Sequence, residues 1–308
     1  MDTNKLGIII LNYNTWNETV ECVRSIQEYT SLPYTIYIVD NGSTDDSLKK
    51  LGKQYQNKEH ITVMETGANR GYSAGNNAGI KRAVAEKCDV IFIVNSDVEL
   101  LNDAFARMTA TLLQRDSFMM VGPSVMNNNQ EESQLPRRKQ TFKCFLLERH
   151  PFCKVPLLKR VGDRGYPIGM SEVFEFSGSV SGCCFGMRAD DFVDIGYLDE
   201  GVFLYSEEDI LAYKMEARGK KAVVDMKAQV WHKENVSTNK KGRAFVQFHR
   251  WNSILYLLKE YAKIGKPLQI FVAVWNTATW MALSIVSGEH RKMLRDFCKE
   301  DWKIVFKS

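Results

Sequence analysis

The sequence predicts an α/β fold: a mainly parallel sheet with helices on both faces, followed by a C-terminal helical appendage. Three observations predict it. The first 120 residues alternate short apolar, β-branched runs with helix-like patterns. Three of those runs stop abruptly in polar clusters, Asn12-Tyr13-Asn14, Asp40-Asn41-Gly42-Ser43 and Asn95-Ser96-Asp97. Beyond about Gly242 the strand signals cease, and aromatic-rich or charge-free helical stretches take over.

Residues 6–11 read as the first strand. A helix follows, with Thr15 as its cap and Glu18 three residues later completing a capping box. Residues 36–39 form the second strand, and Ser43 or Thr44 caps a helix that runs to Tyr55. A strand over 61–64, a helix over 73–86 and a strand over 90–94 come next, then a helix over 102–115 and a strand over 118–121. In sheets of this kind ligands bind outside the carboxyl ends of the strands, so the three polar clusters point into one crevice. From 123 to 173 the periodicity dissolves into a long excursion with short helices, a length that functional loops reach. Order returns over 174–187, which ends in a strand. Residues 190–195 read as a short helix, 206–218 as a longer one, and 222–225 and 229–231 as short strands. Residues 244–263 form an aromatic-rich helix. Residues 267–288 carry no charge over 22 positions, long enough to span a bilayer. Within them Gln269, Asn276, Ser284 and Ser287 recur near helical spacing as one polar stripe. With flanking cations, that pattern favours a helix lying in a membrane interface. A buried helix packed on the main domain is the other reading.

A chain of 308 residues, 44% hydrophobic and 25% charged, can bury a substantial core. The net charge of +4 is unevenly placed. Residues 136–160 carry eight Lys/Arg against one Glu, and 233–308 carry fourteen against six acids, which leaves an acidic body. Two basic regions on an acidic body fit an anionic surface or an anionic substrate. Covering of apolar surface by long cationic stems is the alternative. Seven cysteines without zinc-ligand spacing imply a reduced compartment with packed thiols. The opening Met1-Asp2-Thr3-Asn4-Lys5 does not lead a secretion signal, so a cytoplasmic location is expected.

The chemistry starts from absences. No Gly-x-Gly-x-x-Gly follows the first strand, which argues against dinucleotide oxidoreductases, and no Gly-x-x-x-x-Gly-Lys-Ser/Thr occurs, which argues against P-loop enzymes. A bound diphosphate then needs another source of positive charge, and a divalent metal on a strand-end carboxylate supplies one. Asp97 is placed for that role, or for capping a helix that begins near Leu100. Tyr205-Ser206-Glu207-Glu208-Asp209-Ile210 puts three acids at a helix N-terminus, where the macrodipole favours them. Their mutual repulsion can also raise one pKa into the general-base range. His232 closes a short strand alone, either as a structural hydrogen bonder or with a partner from elsewhere in the chain.

The ordered series LNYN at 11–14, VDNGSTDDS at 39–47, NRGYSAGNNAG at 69–79, VNSD at 94–97, SGCCFGMR at 181–188, YSEEDIL at 205–211 and VWH at 230–232 resembles the GT-A-fold family-2 glycosyltransferases, and most closely their bacterial rhamnosyltransferase-like branch. The resemblance runs from residue 6 to about 260. It implies a GT-A, Rossmann-like mixed sheet flanked by helices. Residues 1–242 would be the catalytic domain, with 1–122 the nucleotide-binding half and 123–242 the acceptor half. Residues 243–308 would be an amphipathic, membrane-associating helical region.

It further implies that Tyr13, Asn14, Asp40, Asn69, Arg70 and Gly71 surround the base and ribose, with Asp40 accepting from a uracil or thymine imide. Asn76 would approach the phosphates, Asn95 and Ser96 would be among the substrate-binding residues, and Ser181 and Gly182 would line the acceptor side. Asp97 would bind Mg²⁺ or Mn²⁺ as the last residue of the family's Asp-x-Asp motif, whose first acid is Asn95 here. His232 would complete the metal site, and Asp209 would be the base, with Glu208 as runner-up. The implied partners are a dTDP- or UDP-sugar and a glycan or lipid-linked acceptor at the cytoplasmic face of a membrane, with no nucleic acid. A nucleotidyltransferase and an inactive nucleotide-sugar-binding subunit are the alternatives. The first lacks a Gly-rich phosphate loop in this chain, and the second draws support from Asn95.

Overall fold

A computed structural model describes residues 4–129, 131–133, 136–149, 165, 171–233 and 242–307. The rest of the expected excursion, including 150–164 and 166–170, lies outside the described residues. The first half is a repeated strand–helix unit: β1 (Leu6–Asn12), α1 (Trp16–Tyr29), β2 (Tyr34–Asp40), α2 (Ser47–Tyr55), β3 (Ile61–Glu65), α3 (Tyr72–Ala85) and β4 (Val90–Asn95). Its strands pair in parallel, with Ile8 opposite Ile36 on one side and Phe92 on the other. Successive side chains of a strand point to opposite faces, so an unbroken apolar run must be buried on both. Ile8, Ile10, Phe92 and Val94 join one core with Val23 and Ile26 of α1. Ile9, Ile91 and Ile93 join the other with Ile80 and Ala83 of α3.

The second half adds β5 (Val98–Leu100), α4 (Ala104–Leu112), β6 (Phe118–Met126), β7 (Glu132–Ser133), α5 (Phe142–Arg149), β8 (Val173–Phe176), β9 (Cys184–Arg188), α6 (Ala189–Asp194), α7 (Glu207–Glu216) and β10 (Lys221–His232). The main strand order is β3-β2-β1-β4-β9-β6-β10-β5. β9 enters antiparallel between β4 and β6, so the sheet is mixed rather than mainly parallel beyond β4. Residues 222–231, expected as two strands, belong to one strand with a register shift between Asp225 and Gln229.

Two expected caps are corrected. Thr15 precedes α1, but its hydroxyl lies 2.9 Å from Ser96 Oγ and makes no cap bond. The residue before α2 is Asp46, because Ser43 and Thr44 are drawn into contacts with the β1 turn.

Three helices close the chain: α8 (Arg243–Glu260), α9 (Lys266–Val286) and α10 (Gly288–Phe306). Leu255, Leu257 and Leu258 of α8 pack on Val272 and Ala273 of α9, on Val305 of α10, and on Val202 and Ile210 of the main body. Trp280 stacks on Phe297 with ring centroids 4.1 Å apart. The polar stripe of α9 faces this packing: Gln269, Asn276 and Ser284 are buried, and Ser287 accepts the His290 N–H at the start of α10.

Candidate active site

A cavity of about 640 Å³ opens at the carboxyl ends of β1 and β4, a size suited to a nucleotide-sized ligand. Its walls come from the turns after β1 and β4, the start of α3, the 179–183 segment before β9, the 203–209 segment, the end of β10 and one face of α8.

The sheet itself brings Asp97 and His232 together. β5 pairs antiparallel with the end of β10, setting His232 opposite Val98. The Lys233 N–H donates to the Asp97 carbonyl at 3.0 Å. Asp97 Oδ1 and His232 Nε2 are 3.2 Å apart, both side chains nearly buried on the cavity wall. Burial by itself works against a charged imidazole. Hydrogen bonds to Asp97 and Cys183 overcome it and lift the His232 pKa from 6.5 to about 10. Asp97 does not start a helix, since a strand follows it; Asp103 caps α4 instead. A carboxylate beside an imidazole suits Mg²⁺ or Mn²⁺ as part of a coordination shell. Among the described residues no group of three or more His, Cys, Asp or Glu side chains is placed for a metal.

The acidic trio enters the cavity on a strained turn. Tyr205 and Ser206 both hold left-handed backbone conformations, φ 73° and 70°, which cost non-glycine residues energy and persist where surrounding structure enforces them. α7 then starts with Glu207, Glu208 and Asp209, all cavity-lining. Burial, reinforced by the Glu208 and Asp209 charges, holds the Glu207 carboxyl well above the usual range. Burial also raises Glu208, with the Asp209 charge adding to it, while backbone N–H donors and Arg137 oppose the rise. A β-carbon at Gly182 would meet the Glu208 carboxylate, so a larger residue there would displace that side chain. Asp209 Oδ1 accepts the Gln140 N–H at 2.9 Å, and Tyr213 donates to the Gln140 carbonyl at 2.8 Å. These two bonds fasten the start of the basic excursion to α7.

Of the remaining expected residues, Tyr13, Asn69, Gly71, Asn95, Ser96, Ser181 and Gly182 line the cavity. Gly71 has φ 95°, and a β-carbon there would strike the Phe203 carbonyl, which accepts the Tyr72 N–H at 2.9 Å. Four expected residues do not reach the cavity lining. Asp40 is buried below it, accepting Asn12 Nδ2–H at 2.7 Å and the Ser43 N–H at 2.9 Å. Asn14 accepts the N–H groups of Thr44 and Asp45. Arg70 reaches outward to Glu200. Asn76 is buried in α3 and donates to the Tyr72 carbonyl. The structure adds Asn41, Tyr72, Arg137, Gln140, Phe245 and Arg250 to the walls. Tyr72 donates to the Gly182 carbonyl at 2.7 Å, tying α3 to the 179–183 segment. No local pattern marks Phe245 or Arg250, which reach the cavity only because α8 folds back on the main body.

A family model described as glycosyl transferase family 2 matches residues 7–196. Among curated proteins the chain is 25% identical to the low-salt glycan biosynthesis hexosyltransferase Agl10 of Haloferax volcanii, over 68% of this chain and 61% of that protein. It thus matches less than two thirds of that relative's length. It is 23% identical to an N-acetylglucosaminyl-diphospho-decaprenol L-rhamnosyltransferase of Mycobacterium tuberculosis, over 84% of this chain and 86% of that one. Among solved structures, the Pyrobaculum calidifontis mannosyltransferase PcManGT in complex with GDP-Man and Mn²⁺ aligns over all of this chain and 88% of its own, at a TM-score of 0.57 and 12% identity. GalNAc-T7 with UDP, GalNAc and Mn²⁺ aligns over 76% of this chain and 44% of its own, at 0.59 and 18%. The fold of this chain is therefore GT-A.

Proposed function

Because the chain belongs to glycosyl transferase family 2, we propose that it is an inverting enzyme moving a hexosyl or rhamnosyl group from a dTDP- or UDP-sugar to a hydroxyl of a cell-surface glycan or its lipid-linked precursor. One observation carries this reading: Asp97 and His232, 135 residues apart in sequence, meet at 3.2 Å in the same cavity that Glu207, Glu208 and Asp209 face. Residues 1–122 would hold the nucleotide and 123–242 the acceptor, with the enzyme working at the cytoplasmic face of a membrane. The likeness to a rhamnosyltransferase named for a lipid-diphosphate acceptor supports the acceptor class.

Tyr13, Asn69 and Gly71 would bound the base and ribose, and Asn95 and Ser96 would also contact the donor; their shared place in the cavity lining supports this reading. Asp40 acts one layer below, holding Asn12 and the 43–44 turn in place. Asp209 takes the proton from the acceptor hydroxyl as its oxygen attacks the anomeric carbon. The bond to the nucleoside diphosphate breaks on the opposite face, so a single displacement inverts the configuration and no protein nucleophile is needed. Asp97 and His232 would hold Mg²⁺ or Mn²⁺, which when bound neutralises charge on the departing diphosphate. The 203–209 segment and the α8 face wall the cavity and would limit access of competing water.

Asp209→Asn, assayed for transfer and for donor binding, should lose on the order of 100-fold or more in turnover while donor affinity is largely kept. Near-wild-type turnover in both folded Asp209→Asn and Glu208→Gln would remove the acidic trio from the mechanism. Asn95, in place of an acid, is the observation that favours an inert donor-binding subunit. Slow donor hydrolysis without acceptor distinguishes an active transferase from that reading.

A further inference from the structure

Helix α9 buries a mixed face, with Val272, Ala273 and Trp280 packed in the core beside polar side chains, and exposes an apolar one. Its polar side chains Gln269, Asn276 and Ser284 point into the protein, while Phe271, Val274, Met281 and Ile285, at helical spacing, face outward. Seven of the thirteen exposed large apolar side chains among the described residues lie on this one helix, so the exposure is concentrated rather than scattered. Ile285 and Val286 are the most exposed of them, at 76% and 82%. With 21 residues the helix is about 30 Å long, which makes the stripe a ridge.

Both ends of the ridge are cationic. Lys263 and Lys266 flank its start. Past its end α10 exposes Arg291, Lys292, Arg295 and Lys299. Arg291 is spent on the last turn of α9, donating to the Ser284 and Ile285 carbonyls at 3.0 Å each. Lys263, Lys292, Arg295 and Lys299 make no ion pair among the described residues.

We propose that α9 lies in the plane of an anionic lipid surface, its apolar ridge at the acyl boundary and these cations among the head groups. An apolar face rimmed by unpaired cations matches that partner in both hydrophobicity and charge. A second copy of the chain would cover the apolar face, but an isologous contact sets identical cationic rims together. The helix is long and apolar enough to cross a membrane, yet its inner face is committed. Asn276 Nδ2 donates to the buried Asp301 of α10 at 3.1 Å, and α10 is too charged to follow it into hydrocarbon. The proposal rests on the membrane-face location given above, and it names the surface that meets the lipid.

Flotation of the full chain with phosphatidylcholine–phosphatidylglycerol vesicles, against phosphatidylcholine alone, tests it. No sugar nucleotide is present, so the result stands or falls apart from the transfer chemistry. The wild type should float with anionic vesicles. Val274→Gln/Ile285→Gln should lose binding on the order of tenfold or more, and Lys292→Gln/Arg295→Gln should lose the preference for anionic lipid. Both variants change exposed positions, and unchanged melting temperatures verify their folding. Four results overturn the proposal: no flotation of the wild type, wild-type binding by both variants, retention through an alkaline carbonate wash, which means spanning, and a lipid-free dimer dissolved by Val274→Gln/Ile285→Gln, which means a second copy covers the ridge.

Discussion

The parallel half and the C-terminal helical layer both bury polar side chains, but in opposite places. In the sheet half, the interiors of β1 and β4 are apolar on both faces, and two buried polar pairs stand at strand ends: Asn12 with Asp40, and Asp97 with His232. In the helical layer they sit mid-helix, where Asn276 meets Asp301 and Ser284 donates to the Trp280 carbonyl, while the apolar side of α9 is left outside. Asp97 and His232 border the cavity and remain open to a ligand, whereas Asn12 and Asp40 are spent on holding the neighbouring turn. These mid-helix groups are consumed within the layer, Asn276 in joining α9 to α10 and Ser284 in a bond inside α9. A buried polar pair thus marks a site only when the backbone leaves it an open side.

The sharpest way to break this contrast is to truncate an apolar residue in each region. Phe92 is fully buried, its ring 4.5 Å from that of Phe105. Phe92→Ala should cost about 3–5 kcal/mol by urea denaturation. Ile285→Ala should change stability by no more than about 0.5 kcal/mol, since the side chain is already largely in solvent. Comparable losses for the two would mean that the α9 ridge is covered by protein in solution.

The same contrast explains what was legible in the sequence. Strands buried on both faces read as continuous apolar runs, and parallel topology places their carboxyl ends together. The crevice, Asp97 and the acidic trio therefore followed from local patterns. The Asp97–His232 meeting was readable only through the resemblance, because the β5–β10 ladder that makes it joins residues far apart in sequence. The antiparallel insertion of β9 between β4 and β6 left no local trace either. Asp40 and Asn76 have the residue types of ligand contacts, but hydrogen bonds within the fold occupy them. For α9 the periodicity showed two unlike faces and could not say which was inside. Polar residues inward is the less usual choice; on that side Asn276 meets Asp301 of another helix, and Val272, Ala273 and Trp280 pack beside it.

Charge at the strand-end pair sharpens the comparison next. The His232 pKa stands at about 10 in the folded protein against an ordinary 6.5. A raised value means that the folded state holds its proton more tightly than the unfolded chain. The resulting stabilisation is complete below about pH 6.5 and is lost as pH rises through 10. The urea midpoint of the metal-free protein should fall across that window, by on the order of a few kcal/mol, and His232→Gln should flatten the decline. Binding of Mn²⁺ requires the neutral imidazole, so its affinity should rise over the same range. An unchanged pH profile in His232→Gln would show that the pair carries no such charge.

The smallest effect comes from the mid-helix pair. Asn276→Leu removes the donor to Asp301 Oδ1 and leaves a buried carboxylate short of a hydrogen bond, at a cost of about 1–3 kcal/mol. Replacing both residues, Asn276→Leu with Asp301→Leu, removes the unmet polar group along with its partner. It should recover most of that loss or exceed the wild type, as exchanges of buried polar pairs for apolar ones do. The strand-end pair should not behave this way: on the proposed mechanism, replacing Asp97 and His232 by leucines should abolish transfer whatever the stability. Recovery of stability with full vesicle binding in the α9–α10 double variant would show that its polar seam only joins helices. If the double variant is less stable than either single one, the seam instead fixes the register of α9 on α10, and with it the direction in which the ridge faces.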